Sequence, residues 1–243
     1  MKVTCTPNLC ALTHIGARGN NEDNYAAVKL SDAYYIAVAD GMGGHAAGEV
    51  ASEMAVETVT GFIRENYRTG MDWLDLKFLL RLSHELAHSR IIENAVGERM
   101  GMGTTLVSAV IRGNEVFVAN TGDSRAALIR RGKTIARTID HSLVQRLIEE
   151  GQITEEEAFG HPASNYITSA IGGRKPLRVD LYRWMAKPGD VLLMDTDGLH
   201  DYVRWKEIEE LLKGGSAREI AFKLLERALG VTRDNVTIAV WKW

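Results

Sequence analysis

The chain is poor in cysteine and proline, and it has no long apolar run. Two cysteines in 243 residues, Cys5 and Cys10, exclude a disulfide scaffold, and a four-ligand zinc site would lack partners. Their C-x4-C spacing is read as two reduced thiols in a cytoplasmic protein. The four prolines, scattered like the glycines, mark no linker, and there is no internal repeat. One integrated domain over residues 1–243 is expected. No apolar stretch approaches the roughly 18 residues of a membrane span, and Met1–Ala11 is too short and mixed for a signal peptide. No membrane partner is expected. Positive charge is not in excess either: Lys and Arg number 29 against 32 Asp and Glu, a net −3. That leaves no basic footprint for nucleic acid and no polybasic anchor. With 45% hydrophobic and 25% charged residues the chain has ordinary globular composition, and no staple is needed to hold its core.

Short β-rich segments come first: Leu9–Ile15, Tyr25–Leu30 and Tyr34–Asp40, each bounded by Gly, Asn or Asp. The period then changes to that of a helix. Ala51, Ala55, Val59 and Phe62 predict a helix over Ala46–Tyr67. Leu76, Leu80, Ser83 and Ala87 predict another over Asp72–Val96. Strands return at Thr104–Ile111, Glu115–Asn120 and Arg125–Ile129, with hairpin turns at Arg112-Gly113-Asn114 and Arg131-Gly132-Lys133. Short helices are expected at Ser142–Glu150 and Thr154–Phe159, then strands at Leu177–Ala186 and Asp190–Met194. Helices at Lys206–Leu212 and Ala217–Leu229 and a strand at Asn235–Trp243 complete the chain. Strands, two adjacent long helices and strands again do not make a βαβ repeat. The order predicts an α+β fold of mainly antiparallel sheets with helices on their outer faces.

Acidic residues stand just beyond the apolar strands. Tyr35–Ala39 runs into Asp40-Gly41-Met42-Gly43-Gly44-His45, and Val191–Met194 runs into Asp195-Thr196-Asp197-Gly198. Asp123 follows Val118–Gly122, and Asp234 precedes Asn235–Val240. Each alone has a plain reading: Asp-Gly is a turn dipeptide, Asp234 could cap a turn, and Glu22-Asp23 could be a solvated loop. Together, carboxylates at the ends of core strands repel one another unless a cation lies between them. An oxygen-only set suits a hard ion, Mg²⁺ or Mn²⁺, better than zinc. Glycine after Asp40 and Asp197 lets backbone approach closely.

The combination resembles the metal-dependent protein phosphatases of the PPM, or type 2C, family, in its prokaryotic branch. The motifs are Arg18-Gly19-Asn20-Asn21-Glu22-Asp23, then Asp40-Gly41-Met42-Gly43-Gly44-His45-Ala46-Ala47-Gly48-Glu49 and Met102-Gly103-Thr104-Thr105. Gly122-Asp123-Ser124-Arg125, Asp140-His141-Ser142-Leu143-Val144, Asp197-Gly198-Leu199 and Asp234-Asn235-Val236-Thr237 follow. The resemblance implies an αββα sandwich with a two-metal site at one edge and a flap over about 140–173. It implies a serine/threonine protein phosphatase that hydrolyses phosphoserine or phosphothreonine by attack of a metal-bridging water. Two Mn²⁺ or Mg²⁺ ions, and a third, would be its cofactors, and its partner a phosphoprotein substrate of a serine/threonine kinase. A monomer is expected.

The resemblance assigns roles residue by residue. Asp40 would bridge both ions, the Gly41 carbonyl would bind one, and Asp197 and Asp234 would hold the other. Glu22 would act through water with Asp23 behind it, and Asp123 would serve the third ion. Arg18 would grip the substrate phosphate, for which a guanidinium offers bidentate geometry. Met42 stands where the animal and plant branch has a histidine. His45, three residues later, is one candidate general acid, and water on the third metal is the favoured other. Asp195 is expected on the same side as Asp197. A phosphatase-like binding module is the alternative reading, and a two-metal nuclease a third. The full set Asp40, Asp197 and Asp234 argues against the former, and the acidic balance against the latter.

Overall fold

The computed structural model describes residues 1–43, 47–173 and 175–243. Its strands are β1 (Lys2–Cys5), β2 (Leu9–His14), β3 (Asp23–Lys29), β4 (Tyr34–Met42), β5 (Gly103–Thr104), β6 (Leu106–Arg112) and β7 (Glu115–Thr121). They continue with β8 (Arg125–Arg130), β9 (Lys133–Arg137), β10 (Asp180–Met185), β11 (Val191–Asp195) and β12 (Val236–Lys242). The helices are α1 (Ala47–Asn66), α2 (Trp73–Asn94), α3 (Leu143–Glu149), α4 (Glu155–Ala158), α5 (Asp197–His200), α6 (Trp205–Leu211) and α7 (Ala217–Leu229). One sheet runs β1-β2-β12-β11-β8-β9 and the other β10-β7-β6-β4-β3, with β5 paired to β4. Each of these pairings is antiparallel.

Three apolar layers make this a sandwich. Leu9 and Ala11 of β2 meet Ile36, Val38, Val107 and Val118 between the sheets. Cys10 and Leu12, pointing the other way by the period of two, pack with Ile220, Leu224 and Ala228 of α7. Tyr35, Ala37 and Phe117 pack against Ala51, Ala55 and Val59 of α1 and Leu76 and Leu80 of α2. Strands covered on both faces carry near-continuous apolar runs, as β11 does with Val191–Met194. Helix starts are set by side chains: Asp72 with Asp75 at α2, Ser216 with Glu219 at α7, and Thr154 with Glu157 at α4 form reciprocal capping boxes.

Several expectations need correction. Cys5 and Cys10 are bonded to each other, because the β1–β2 hairpin sets them directly opposite. The structure thus joins the two sulfurs that were expected as free thiols. Strands β1 and β9 escape the pattern reading. The first is short and largely exposed, and the second lies beyond a turn at Arg131-Gly132 where both residues have positive φ. Asp197 does not end a strand but opens the short helix α5. The strand expected over Leu177–Ala186 begins only at Asp180. Among the described residues no helix is long and apolar enough to cross a membrane.

Candidate functional site

The predicted carboxylates gather at one end of the sandwich, drawn from both sheets. Asp40 lies near the end of β4 and faces Asp23 of β3 across the ladder. Three hydrogen bonds fix its backbone: Thr105 Oγ1 accepts from Asp40 N at 2.9 Å, and Asp40 O accepts from Thr105 N and Thr104 Oγ1, each at 2.8 Å. The Met102–Thr105 motif thus holds Asp40 in place. Gly41 N donates to Glu22 O at 3.1 Å. A Cβ on Gly41 would collide with the carbonyls of Gly48 and Glu22. The loop bearing Glu22 can reach the site only because residue 41 has no side chain.

The second sheet contributes Asp197 and Asp234. A Cβ on Gly198 would run into the carbonyl of Asn235, so glycine lets the start of α5 sit against the start of β12. Asn235 appears in the Asp234–Thr237 motif of the sequence but is given no role there. Its Oδ1 accepts from Glu22 N at 2.8 Å, and its Nδ2 donates to the carbonyls of Ile15 and Asn20, each at 2.8 Å. It ties the loop of Arg18 and Glu22 to the strand following Asp234. An amide at the head of an apolar strand, buried in the fold, is the available signal. Asp23 is buried, and its Oδ2 accepts from Thr196 Oγ1 at 2.8 Å.

These carboxyls resist ionisation together. Burial, then Asp197, Asp23, Asp123 and Asp234, push Asp40 well above the usual carboxylate range. Burial, then Asp123, Asp201 and Asp234, do the same to Asp197. Asp23 is raised to about 7, first by burial, and Asp123 to about 7 by burial and then by Asp140 and Asp201. Glu22 is raised by burial, with Asp234 and Glu49 adding and Arg18 opposing. Among the described residues no three His, Cys, Asp or Glu side chains stand within one ion's reach, so a cation would require them to turn inward. The donor set fits a hard cation in its chemistry. All donors are oxygens, and buried Oδ1 atoms of Asp23 and Asp197 have no hydrogen-bond partner.

Arg18 sits at the Asp234 end, its Nη2 2.6 Å from Asp234 Oδ2, with its side chain 57% exposed. That hydrogen bond raises its affinity for the proton further. At the other end Asp123 is buried, and the loop that carries it is latched to the 140–173 segment. His141 N donates to Gly122 O at 2.9 Å and Gly122 N to His141 Nδ1 at 3.2 Å. Arg125 forms a bidentate pair with Asp140, at 3.0 Å through Nε and 2.6 Å through Nη2. Asp195 turns away from the cluster: its Oδ2 meets His200 Nδ1 at 2.8 Å, and Arg125 is its main charged neighbour. His45 lies outside the described residues.

Comparison with known proteins agrees with this geometry. The family model described as Protein phosphatase 2C matches residues 12–227. The protein phosphatase PhpP of Streptococcus pneumoniae is 34% identical, over 94% of either chain. The crystal structure of serine/threonine phosphatase Stp1 from Staphylococcus aureus superposes with a TM-score of 0.90 at 33% identity, covering 100% of this chain and 97% of that one. The catalytic domain of the serine/threonine protein phosphatase PstP, solved in complex with two manganese ions, gives a TM-score of 0.79 at 35% identity over 96% of each chain. Two antiparallel sheets under flanking helices, an oxygen-only recess at their shared end and a match along most of its length place this chain in the protein phosphatase 2C family.

Proposed function

We propose that this recess hydrolyses phosphoserine and phosphothreonine in proteins, as a metal-dependent serine/threonine phosphatase. The observation that carries the reading is the carboxylate cluster: groups from two sheets raise one another's pKa and offer only oxygen to what binds there. Asp40, the Gly41 carbonyl, Asp197 and Asp234 would hold two divalent ions, Mn²⁺ or Mg²⁺, with Glu22 acting through water. Asp23, across the β3–β4 ladder from Asp40, would stand behind Glu22, and Asp123 would serve a third ion. When bound, such ions activate water and neutralise phosphoryl oxygens.

The chain's own residues do the rest. Arg18 exchanges its contact with Asp234 for the substrate phosphate, giving a charge-assisted grip on the equatorial oxygens. Asn235 keeps the Arg18 loop on the strand that follows Asp234. Neither cysteine is at the site, since both lie in the β1–β2 hairpin, so water rather than a thiolate attacks phosphorus. His45 and water at the Asp123 end compete as proton donor to the leaving oxygen. The segment at 140–173 would act as a flap, its base latched to the loop of Asp123 by the Gly122–His141 and Arg125–Asp140 contacts. We expect a monomer acting on a phosphoprotein.

The test is hydrolysis of a phosphothreonine peptide with Mn²⁺, with Mg²⁺ and after chelation. Turnover that needs a divalent ion is the expected result. Turnover unaffected by chelation would refute the reading. Binding of the peptide without release of phosphate, metal present, would favour a phosphatase-like binding module instead.

A further inference from the structure

A cavity of about 360 Å³ opens beside the carboxylate recess, between the helices of the 140–173 segment and α6. Asp123 and Asp201, whose charges bear on Asp197, line it together with Arg137, Arg204 and Lys206. Two aromatic rings shape its wall. The Arg204 guanidinium carbon lies 4.5 Å from the Phe159 ring centroid, and that of Arg137 lies 5.3 Å from the Trp205 centroid. Stacking of this kind holds a guanidinium by its face and leaves its N–H edge free for an acceptor.

The chain already shows what those edges take. Glu155 of α4 lies with its Oε1 3.3 Å from Arg137 Nη2, on a side chain that is 72% exposed. An exposed pair of this kind contributes little and yields to a competitor. Arg204 and Lys206 have no carboxylate within 4 Å among the described residues. Five carboxylates and four cations line the cavity, and Arg125 and Arg137 are the two cations already paired. Of the acids, Asp140 is gripped by Arg125, and the charge of Asp123 bears on Asp197.

We propose that this cavity is a substrate subsite for an anionic side chain, a carboxylate or a second phosphate, flanking the phosphorylated residue. The proposal rests on the phosphatase reading above and deepens it. Arg18 lies at the Asp234 end of the recess and the cavity at the Asp123 end, with Asp197 between and feeling the charge of both carboxylates. A peptide whose phosphate sits over Asp197 passes one flank into the cavity. Its neutral backbone gains nothing from Arg204 and Lys206, whereas an acidic side chain completes their coordination.

The experiment compares phosphothreonine peptides carrying Ala, Glu, phosphothreonine or Lys at one flanking position at a time, with nitrophenyl phosphate assayed on every sample. At one position, Glu or phosphothreonine should raise kcat/KM about tenfold over Ala, mainly through KM, as expected for a charge-assisted contact. Lys should lower it. A gain with both side chains assigns the site to carboxylates and phosphates alike, and a gain with phosphothreonine alone assigns it to a second phosphate. Arg204→Glu should abolish or invert the preference, and Lys206→Glu, at an independent exposed position, should weaken it. Equal rates on all four peptides, a preference for Lys, or a preference untouched by both variants overturns the subsite if nitrophenyl phosphate is still hydrolysed. A wild-type protein that hydrolyses neither kind of substrate overturns the phosphatase reading and the subsite with it.

Discussion

Asp40 stands among four other carboxyls that each make its ionisation harder. A divalent ion reverses that relation, because charge that repels in its absence attracts in its presence. Asp40→Asn is therefore expected to abolish metal-dependent turnover and to remove the rise in melting temperature on adding Mn²⁺. An intact melting shift in that variant would show that Asp40 holds no ion. Arg18 makes a different prediction. Its contact with Asp234 is mostly exposed and so contributes little to folding. Arg18→Ala should leave the denaturation midpoint nearly unchanged while raising KM by roughly tenfold or more, as for loss of a charge-assisted bond. A variant that unfolds without a KM effect would make Arg18 a structural ion pair. His84 supplies the pH dependence. It is wholly buried between Thr121 and Ser108, at 3.2 and 2.9 Å, and burial lowers its pKa to about 3. The unfolded chain takes up a proton near pH 6.5 while the folded chain refuses it down to about 3. Stability is thus complete above pH 6.5 and falls as pH drops, by up to about 1.4 kcal/mol per unit from this one group. Denaturation of His84→Gln across that window should show a shallower slope than the wild type.

The strands and long helices are legible in the sequence because one period dominates each. Ala51, Ala55 and Val59 lie on one stripe of α1, and Leu9–Leu12 alternates between two apolar layers. What escapes are short elements fixed by distant partners. Strand β9 is mostly polar and exists because β8 pairs with it, and α5 has a single turn that no periodicity reveals. The candidate site divides in the same way. Asp40, Asp123, Asp197 and Asp234 can be found because each abuts a core strand, whereas the task of Asn235 is visible only when Ile15, Asn20 and Glu22 are seen around it. Asn235→Ala strips partners from one backbone N–H and two carbonyls. It should destabilise the protein by about 1–3 kcal/mol and raise KM as the Arg18 loop loosens. Loss of stability by urea titration with unchanged KM would separate the loop from phosphate binding. Arg125→Ala tests the base of the 140–173 segment. Removing one partner of a buried pair leaves Asp140 uncompensated, at a cost of roughly 3–5 kcal/mol that the same titration would read.

For the whole molecule, ions bound only by the folded chain add stability by mass action, about 2.7 kcal/mol at a hundred times the dissociation constant. Chelation should accordingly lower the melting temperature, and a scan with and without a chelator measures it. Where the ions would sit matters as much as how tightly they bind. Asp40 and Asp23 belong to one sheet, while Asp197 and Asp234 flank strands of the other. The inter-sheet layer that joins the two is apolar side chains, which resist separation but are indifferent to small lateral movement. A cation held from both sides is a rivet through that slip plane. With it in place, shear of one sheet over the other has to break coordination. Without it, the active end of the sandwich is the edge from which the layers first slide apart, and amide exchange at the ends of β4 and β12 should accelerate together.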